Sequence, residues 1–475
     1  MTAPNATAAH PRRFRLQARG ALQDEHLRQA LDRARDGFVA KRAHAVAGRP
    51  DFEALTAAAA QIKDGALERM EDHLQRFESH VTARGGCVHH AVDAQAARQA
   101  VLEICRSREA RRVTKGKSMV GEEVGLNQAL EGAGLEVTET DLGEYIIQLA
   151  GEAPSHIIAP AVHKTREQIS ALFAQHHGTP PRGEVAELVN EARSVLRERY
   201  LQADVGITGA NFLVAETGTT VLVTNEGNGD LTASLPKVHV VIAGIDKVVP
   251  TFRETCTLLR VLARSATGQE LTSYTSFFTG PAAEADGEGP TEYHVILVDN
   301  GRRAIRDSEF RPMLRCIRCG ACMNHCPVYA TAGGHAYGWV YPGPMGSVLT
   351  PLMLGLDQAP DLPRACTLNG RCGSVCPVQI PLPDLLRRLR ERQYEGGVVS
   401  ARYRWGTRLW GAVARRPWLY RPLSSLGARL LGWAGGTRGR VRRLPGAGGW
   451  VAARDLPTPT RGGTFIARWQ RGERP

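Results

Sequence analysis

No apolar run in this 475-residue chain reaches the roughly 18 residues that a membrane-spanning helix requires. The N-terminus also lacks the apolar stretch of a secretory signal. Arg12-Arg13-Phe14-Arg15 has a twin-arginine look, but nothing apolar follows it. No GxGxxG stands at a strand–helix junction, so hydride chemistry on a bound flavin or nicotinamide is not expected of this chain. Lysine is absent from the last stretch: from Arg387 onward there are 20 Arg, no Lys and four acids, a charge of +16. The remainder holds 40 basic and 44 acidic residues, so the net charge of +12 belongs to the tail. Cysteine is scarce as well. Of ten, Cys87, Cys105 and Cys256 stand alone and read as buried small hydrophobes. An apolar content of 43% and a charged content of 23% fit a soluble chain of roughly two to four domains, expected in a reducing cytoplasm.

The other seven cysteines carry the chemistry. Cys316-Ile-Arg-Cys319-Gly-Ala-Cys322-Met-Asn-His-Cys326-Pro327 has the C-x2-C-x2-C-x3-C-P spacing of bacterial ferredoxins. Fifty positions later comes Cys366-Thr-Leu-Asn369-Gly-Arg-Cys372-Gly-Ser-Val-Cys376-Pro377, in register except that Asn369 replaces the second cysteine. Three thiolates at this spacing wrap one iron–sulfur cube, and the cysteine before proline reaches the neighbouring cluster. On that rule Cys316, Cys319, Cys322 and Cys376 hold a [4Fe–4S] cluster. Cys326, Cys366 and Cys372 are left for a second, one thiolate short: a [3Fe–4S] cluster, or a [4Fe–4S] cluster completed by Asn369, water or substrate. The C-x5-C-x3-C-P form resembles the iron–sulfur subunit of succinate dehydrogenases, where it accompanies a three-iron centre. Structural zinc does not need such a repeat, and disulfides suit small secreted domains.

Along the chain, 1–65 reads as an N-terminal helical segment, 66–300 as an α/β domain, 301–395 as an α-helical two-cluster ferredoxin-type domain and 396–475 as a basic tail. Helical spacing covers Leu55–Lys63 and Ala66–Phe77. Strands are expected at Val88–Val92, Glu136–Thr140, Phe212–Ala215, Thr220–Thr224, Val238–Ile242 and His294–Val298, separated by helices such as Ala94–Cys105. A further helix should run through Leu130. The pattern predicts a mainly parallel sheet.

Two regions suit a small-anion pocket. Lys115-Gly116-Lys117-Ser118 sits between a strand and a helix, without P-loop spacing. Gly206–Asn211, Glu216–Thr219 and Asn225–Gly229 read as Gly/Asn/Thr-rich loops, a density that plain hairpin turns also explain. Glu144, His156 and His163 are the titratable groups nearby, with no partner evident from spacing, so catalytic residues stay unassigned. Gly333–Gly346, rich in Gly, Pro and aromatics, should lie over the clusters and exclude water, with His335 either bonding a cluster sulfur or packing. In the tail, Trp405, Trp410, Trp418, Trp433, Trp450 and Trp469 interleave with Arg. That suits a docking surface for a protein partner or for anionic lipid heads, and no nucleic-acid reader module is present.

Lys117-Ser118-Met119-Val120, Glu139–Leu149, Gly209–Gly229 and Gly334-His335-Ala336-Tyr337-Gly338, together with the cysteine motifs, resemble the lactate utilisation B branch of the LUD-domain family. The resemblance covers most of residues 60–475. It implies a LUD domain similar in fold to the CoA-transferase and ribose-5-phosphate-isomerase group, and a place in a three-part complex oxidising L-lactate to pyruvate. The implied partners are a cysteine-rich subunit of heterodisulfide-reductase type and a shorter LUD protein. In many relatives a cysteine stands at the place of Asn369 and none at Cys366, so the family's cluster assignment carries over only for Cys326, Cys372 and Cys376. The expected role is electron transfer through two clusters in the cytoplasm, peripheral to the inner membrane if the tail meets lipid. Two alternatives are open: the LUD domain oxidises a 2-hydroxy acid itself, or the protein is an iron–sulfur redox sensor.

Overall fold

The computed structural model describes residues 10–283, 287–444, 451, 454–459 and 463–472. The chain forms two compact units, 1–393 and 394–475.

Four helices open the first unit: α1 (Phe14–Ala21), α2 (Glu25–Ala47), α3 (Phe52–Glu68) and α4 (Met70–Ala83). Asp24 starts α2 by accepting the Leu27 N–H. α4 turns Leu74, Phe77 and Val81 inward. Each such burial contributes about 1.5–3 kcal/mol relative to exposure.

Strands and helices then alternate: β1 (Cys87–Ala91), α5 (Ala94–Ser107), β2 (Arg112–Lys115), α6 (Met119–Glu123), α7 (Leu126–Gly132), β3 (Glu136–Glu139), α8 (Leu142–Ala150), α9 (Arg166–His177), α10 (Val185–Leu201) and β4 (Val205–Gly209). Next come β5 (Phe212–Val214), β6 (Thr219–Thr224), α11 (Asn228–Ser234), β7 (Val238–Gly244), β8 (Val248–Val249), α12 (Phe252–Ala266), β9 (Tyr274–Phe278) and β10 (Glu292–Val298). Six strands form one sheet in the order β1-β10-β7-β4-β2-β3, every neighbouring pair parallel. β7 is buried at all its positions, as a strand covered on both faces must be. A second sheet, β8-β5-β6-β9, mixes one parallel and two antiparallel pairs.

Three expectations need correction. Val205–Gly209 is a central strand rather than part of a loop. Gly206 looks like a breaker, yet a Cβ there would stand 1.9 Å from the Thr232 carbonyl oxygen, so glycine lets α11 close on the sheet. The helix expected through Leu130 is broken at Gly125, whose φ of +66° ends α6 and starts α7. Among the single cysteines only Cys105 is buried. Cys256 is half-buried, and Cys87 is exposed because β1 lies at the sheet edge.

His239 sits within β7, its Nε2 2.8 Å from Thr208 Oγ1 and its Nδ1 without a partner. Burial pushes its pKa down to about 3, so the folded protein holds it neutral. An unfolded histidine takes up a proton below about pH 6.5. Stability is therefore undiminished above that pH and falls as pH drops toward 3, by up to about 1.4 kcal/mol per unit. His239→Gln should flatten the dependence of the thermal midpoint between pH 7 and 5. An unchanged slope would mean that His239 is charged in the fold.

After the sheet come α13 (Arg302–Arg306), α14 (Ala321–Asn324), α15 (Pro327–Ala332), α16 (Gly343–Leu354), α17 (Arg371–Ser374) and α18 (Leu382–Glu395). The N-terminal helices clamp this part. Arg315 forms two bonds of 2.6 Å with the Asp64 carboxylate, Arg12 Nε donates to the Asp357 carbonyl at 2.9 Å, and the His10 N–H to that of Gly338 at 2.8 Å. One apolar core runs through both regions, joining Phe77, Val214 and Leu258 to Phe310, Met323 and Leu349.

The second unit holds α19 (Ala401–Ala414), α20 (Pro417–Gly435), the two-residue strands β11 (Arg440–Val441) and β12 (Leu456–Pro457), and α21 (Phe465–Gln470). Trp405, Trp410, Trp418, Trp433 and Trp469 are exposed. Trp450 lies outside the described residues. No described helix is long and apolar enough to cross a membrane.

Candidate metal centre and adjoining cavity

The two cysteine loops fold alike. Arg318 (φ +60°) and Gly320 (φ +74°) in the first match Leu368 (φ +57°) and Gly370 (φ +82°) in the second. Left-handed backbone at alternate positions curls each loop before a one-turn helix, α14 or α17. The sequence repeat is thus a structural one.

The thiols fall into two groups, and each group draws on both repeats. Burial raises the Cys319 thiol, and the nearby charges of Cys376 and Cys316 raise it further. Cys322 is raised by burial, then by Cys316, Cys319 and Cys376, with Cys372 last. Cys372 is pushed up to about 12 by burial, then by Cys366 and Cys326. Cys326 is raised by burial, with Cys366 adding to it. Electrostatically, Cys376 belongs with the first loop and Cys326 with the second.

These residues fit iron–sulfur clusters better than single ions. Tetrahedral zinc at about 2.3 Å from each sulfur would bring its thiolates to about 3.8 Å of one another. Among the described residues, the three-donor group found within 4.8 Å is Glu152, His163 and His335, with no cysteine in it. Backbone N–H groups of Leu368, Ile380 and Tyr329 donate to Cys366, Cys376 and Cys326 Sγ at 3.2, 3.4 and 3.5 Å. Tyr337 is fully buried beside Cys326, Cys366 and Cys322, and its hydroxyl meets no oxygen or nitrogen partner but faces the Cys326 thiol. A buried hydroxyl among thiols suits a donor to the sulfur of a cluster or of its ligand. Asn369, at the place of the missing cysteine, is exposed, and its Oδ1 accepts the Arg371 N–H at 3.1 Å.

A cavity of about 260 Å³ opens beside the first loop. It lies at the carboxyl ends of β2, β4 and β7, where open parallel sheets hold their ligands. Gly116-Lys117-Ser118 and Gly209-Ala210-Asn211 line it, as do Asn225, Glu226, Asn228 and Gly229, so the anticipated polar regions converge on one space. Glu216–Thr219 lies elsewhere, although Gly218 packs against His80 and Val81 of α4. Arg318 and Cys319 supply part of the cavity wall.

Two family models match this chain: the LUD domain over residues 74–298 and the 4Fe-4S dicluster domain over 312–380. Lactate utilization protein B of Lysinibacillus sphaericus is 43% identical over 453 residues, 94% of this chain and 95% of that one. The counterpart of that name in Shouchella clausii is 42% identical and covers 93% of both. The chain belongs to the lactate utilization protein B family. The uncharacterized electron transport protein YkgF of Escherichia coli is 40% identical over 94% of each chain. A solved DUF162 family protein from Deinococcus radiodurans matches 48% of this chain and 98% of its own, at 18% identity and a TM-score of 0.26.

Between this family's two domains lies a buried ion network. Arg302 donates two bonds to Glu123, at 2.8 and 2.7 Å, and one to Asp246 at 2.6 Å. Tyr341 also donates to Glu123, and the Arg318 guanidinium stacks over the Tyr341 ring at 4.8 Å. Lys63 reaches the Asp246 carbonyl at 2.5 Å. Burial tends to raise the Asp246 carboxyl, but Arg302, Lys247 and Arg318 outweigh it and hold it ionised.

Of the titratable groups singled out from sequence, His163 and His335 come together beside Glu152, while Glu144 and His156 stand apart from that group. His156 is buried and bonds Asn324 at 2.9 Å, and burial pushes it down to about 4. His163 lies between Ser155 Oγ and Glu152, each at 2.8 Å. His335 Nε2 meets the Ala153 carbonyl at 2.6 Å, so it packs instead of serving a sulfur. Glu144 is raised well above the carboxylate range by burial and by Glu122, and it does not line the cavity. Sequence reasoning missed Lys247, whose signal was an Asp-Lys pair between two apolar strands. It also missed Arg42, which lies near Cys319 and Cys376 without a motif to mark it.

Proposed function

We propose that this chain is the iron–sulfur electron carrier of a multi-subunit complex that oxidises L-lactate to pyruvate. The observation that carries this reading is the electrostatic grouping of Cys376 with Cys319 and of Cys326 with Cys366, which fits the crossed ligand pattern of a two-cluster relay. The names of the relatives, lactate utilization and electron transport, support lactate as the substrate and electron transfer as the role. Each cluster, when bound, accepts one electron, and removing hydrogen from a 2-hydroxy acid releases two. Cys316, Cys319, Cys322 and Cys376 would hold a [4Fe–4S] cluster. Cys326, Cys366 and Cys372 would hold the second, [3Fe–4S] or [4Fe–4S].

The chain's own residues prepare these sites. Arg42 and Arg315 place positive charge near Cys376, Tyr337 offers a donor to the second group, and the buried Tyr337 and Tyr341 exclude water. The cysteine-rich heterodisulfide-reductase-like subunit and the shorter LUD protein are the proposed partners. α19 and α20 expose four tryptophans, and residues 396–454 contain 12 Arg and no acid, so a partner with an acidic face suits them.

Electron paramagnetic resonance on anaerobically purified protein, with an iron count, tests the reading. About seven irons, with a signal in the oxidised protein that vanishes on reduction, would mean a three-iron and a four-iron cluster. About eight irons and signals only after reduction would mean two four-iron clusters. Little iron and tightly held zinc would overturn electron transfer altogether.

A further inference from the structure

Lys63, Lys115 and Arg302 all bond to carboxylates or carbonyls. Lys247 is only 6% exposed and lines the cavity, yet among the described residues its ammonium has no hydrogen bond and no ion pair. Arg318 lines the same cavity. Its Nη1 is buried without a partner, and its Nη2 stands 3.9 Å from Asp246 Oδ2. Two carboxylates, Glu123 and Asp246, stand against four cations, Arg302, Lys63, Lys247 and Arg318, so Asp246 compensates Lys247 and Arg318 only in part. Burial pushes Lys247 down to about 7, and an anion in the space that both cations line would restore its charge. The other walls say what kind. Ile157, Ile158, Leu222, Ile242 and Leu262 are apolar, while exposed Asn225 and Glu226 mark the mouth.

We propose that this cavity binds an organic anion whose carboxylate lies between Lys247 and Arg318 and whose apolar body rests on the aliphatic wall. The site goes beyond the relay role, because binding requires no electron transfer. A volume of about 260 Å³ holds about nine waters at about 30 Å³ each. A three-carbon acid would leave much of the aliphatic wall wet, so the preferred body is larger than that of lactate. The carboxylate end would lie against the loop that carries Cys319, so occupancy is felt at the first thiol group and not at the second.

The cluster itself is anionic, and Lys247 also attracts the Cys316 thiolate. If that were its whole task, the cavity would bind nothing. Calorimetry on the anaerobic full-length holoprotein separates the two roles, with phenylpyruvate, L-lactate and inorganic phosphate as probes. Phenylpyruvate should bind more tightly than L-lactate or phosphate and should alter the resonance signal of one cluster only. Losing a charged hydrogen bond in Lys247→Met should weaken phenylpyruvate about tenfold to a hundredfold. Ala266→Phe, which fills the cavity from α12 without changing charge, should weaken it as well and serves if the first variant fails to fold. No binding of phenylpyruvate in the millimolar range, or equal affinity in both variants, would overturn the proposal. A Lys247→Met protein whose cluster potential shifts while the wild type binds no anion would assign Lys247 to the cluster alone. The iron–sulfur reading would then stand without this site. Tighter binding of phosphate than of phenylpyruvate would also overturn it.

Discussion

Cys376→Ser should empty the same cluster as Cys319→Ser, while Cys372→Ser, four positions from Cys376, should empty the other. Near neighbours in sequence would then differ, and distant residues would agree. The expectation follows from the electrostatic grouping, in which Cys376 acts on Cys319 and Cys322, whereas Cys372 is coupled first to Cys366 and Cys326. Each serine variant should lose about three or four irons of a total near seven or eight. Resonance spectra of the oxidised and reduced proteins, taken together, should retain one cluster signal in each case, the same one for Cys319→Ser and Cys376→Ser. If Cys376→Ser instead matched Cys372→Ser, each repeat would hold its own cluster and the relay reading would lose its main support. Asn369→Cys adds a sharper check. Its position is exposed and its flanking residues, Leu368 and Gly370, match Arg318 and Gly320 in backbone, so a thiolate there should complete a second four-iron site.

Much of this was legible in the sequence, for a physical reason. Cluster loops depend on cysteine spacing, on glycine where φ is positive and on proline after the last ligand, and all three are local. Gly320 and Gly370 could be paired by eye, and the structure gives both left-handed backbone. The apolar strands of the parallel sheet were legible too, because burial on both faces leaves a continuous run such as Val238–Ile242. What failed depended on distant contacts. Gly206–Asn211 reads as a loop since it holds two glycines, and only the approach of Thr232 explains the first of them. The cavity's polar regions were visible, but their union with Arg318 and Lys247 was not. That union needs the cluster loop folded against the ends of β2, β4 and β7. Charged residues give no periodic signal, so nothing in Asp299-Asn-Gly-Arg302 announced that Arg302 would be 1% exposed.

Arg302→Met should be among the most damaging single changes outside the cysteines. Its guanidinium is the counter-charge of both Glu123 and Asp246, and neither carboxylate reaches solvent. Burial opposes ionisation of each, and Arg302 heads the opposing influences at both. Removing one partner of a buried ion pair costs about 3–5 kcal/mol, because the remaining charge keeps its desolvation penalty and loses its compensation. Tyr341 and Asn300 still donate to Glu123, which places the loss at the lower end of that range. Arg303, the next residue, pairs with Glu71 at 2.8 Å but stands 39% exposed. Arg303→Met should therefore cost no more than about 1 kcal/mol. The network joins α6 and β7's end to Tyr341 beside the cluster loop, so the damage should be read at two places. Thermal unfolding should begin earlier in Arg302→Met, and iron should leave it faster on dilution into a chelator. Equal behaviour of the two arginine variants would mean that the buried carboxylates take up protons at little cost. In that case the link between the parallel sheet and the cluster loops would rest on apolar packing alone.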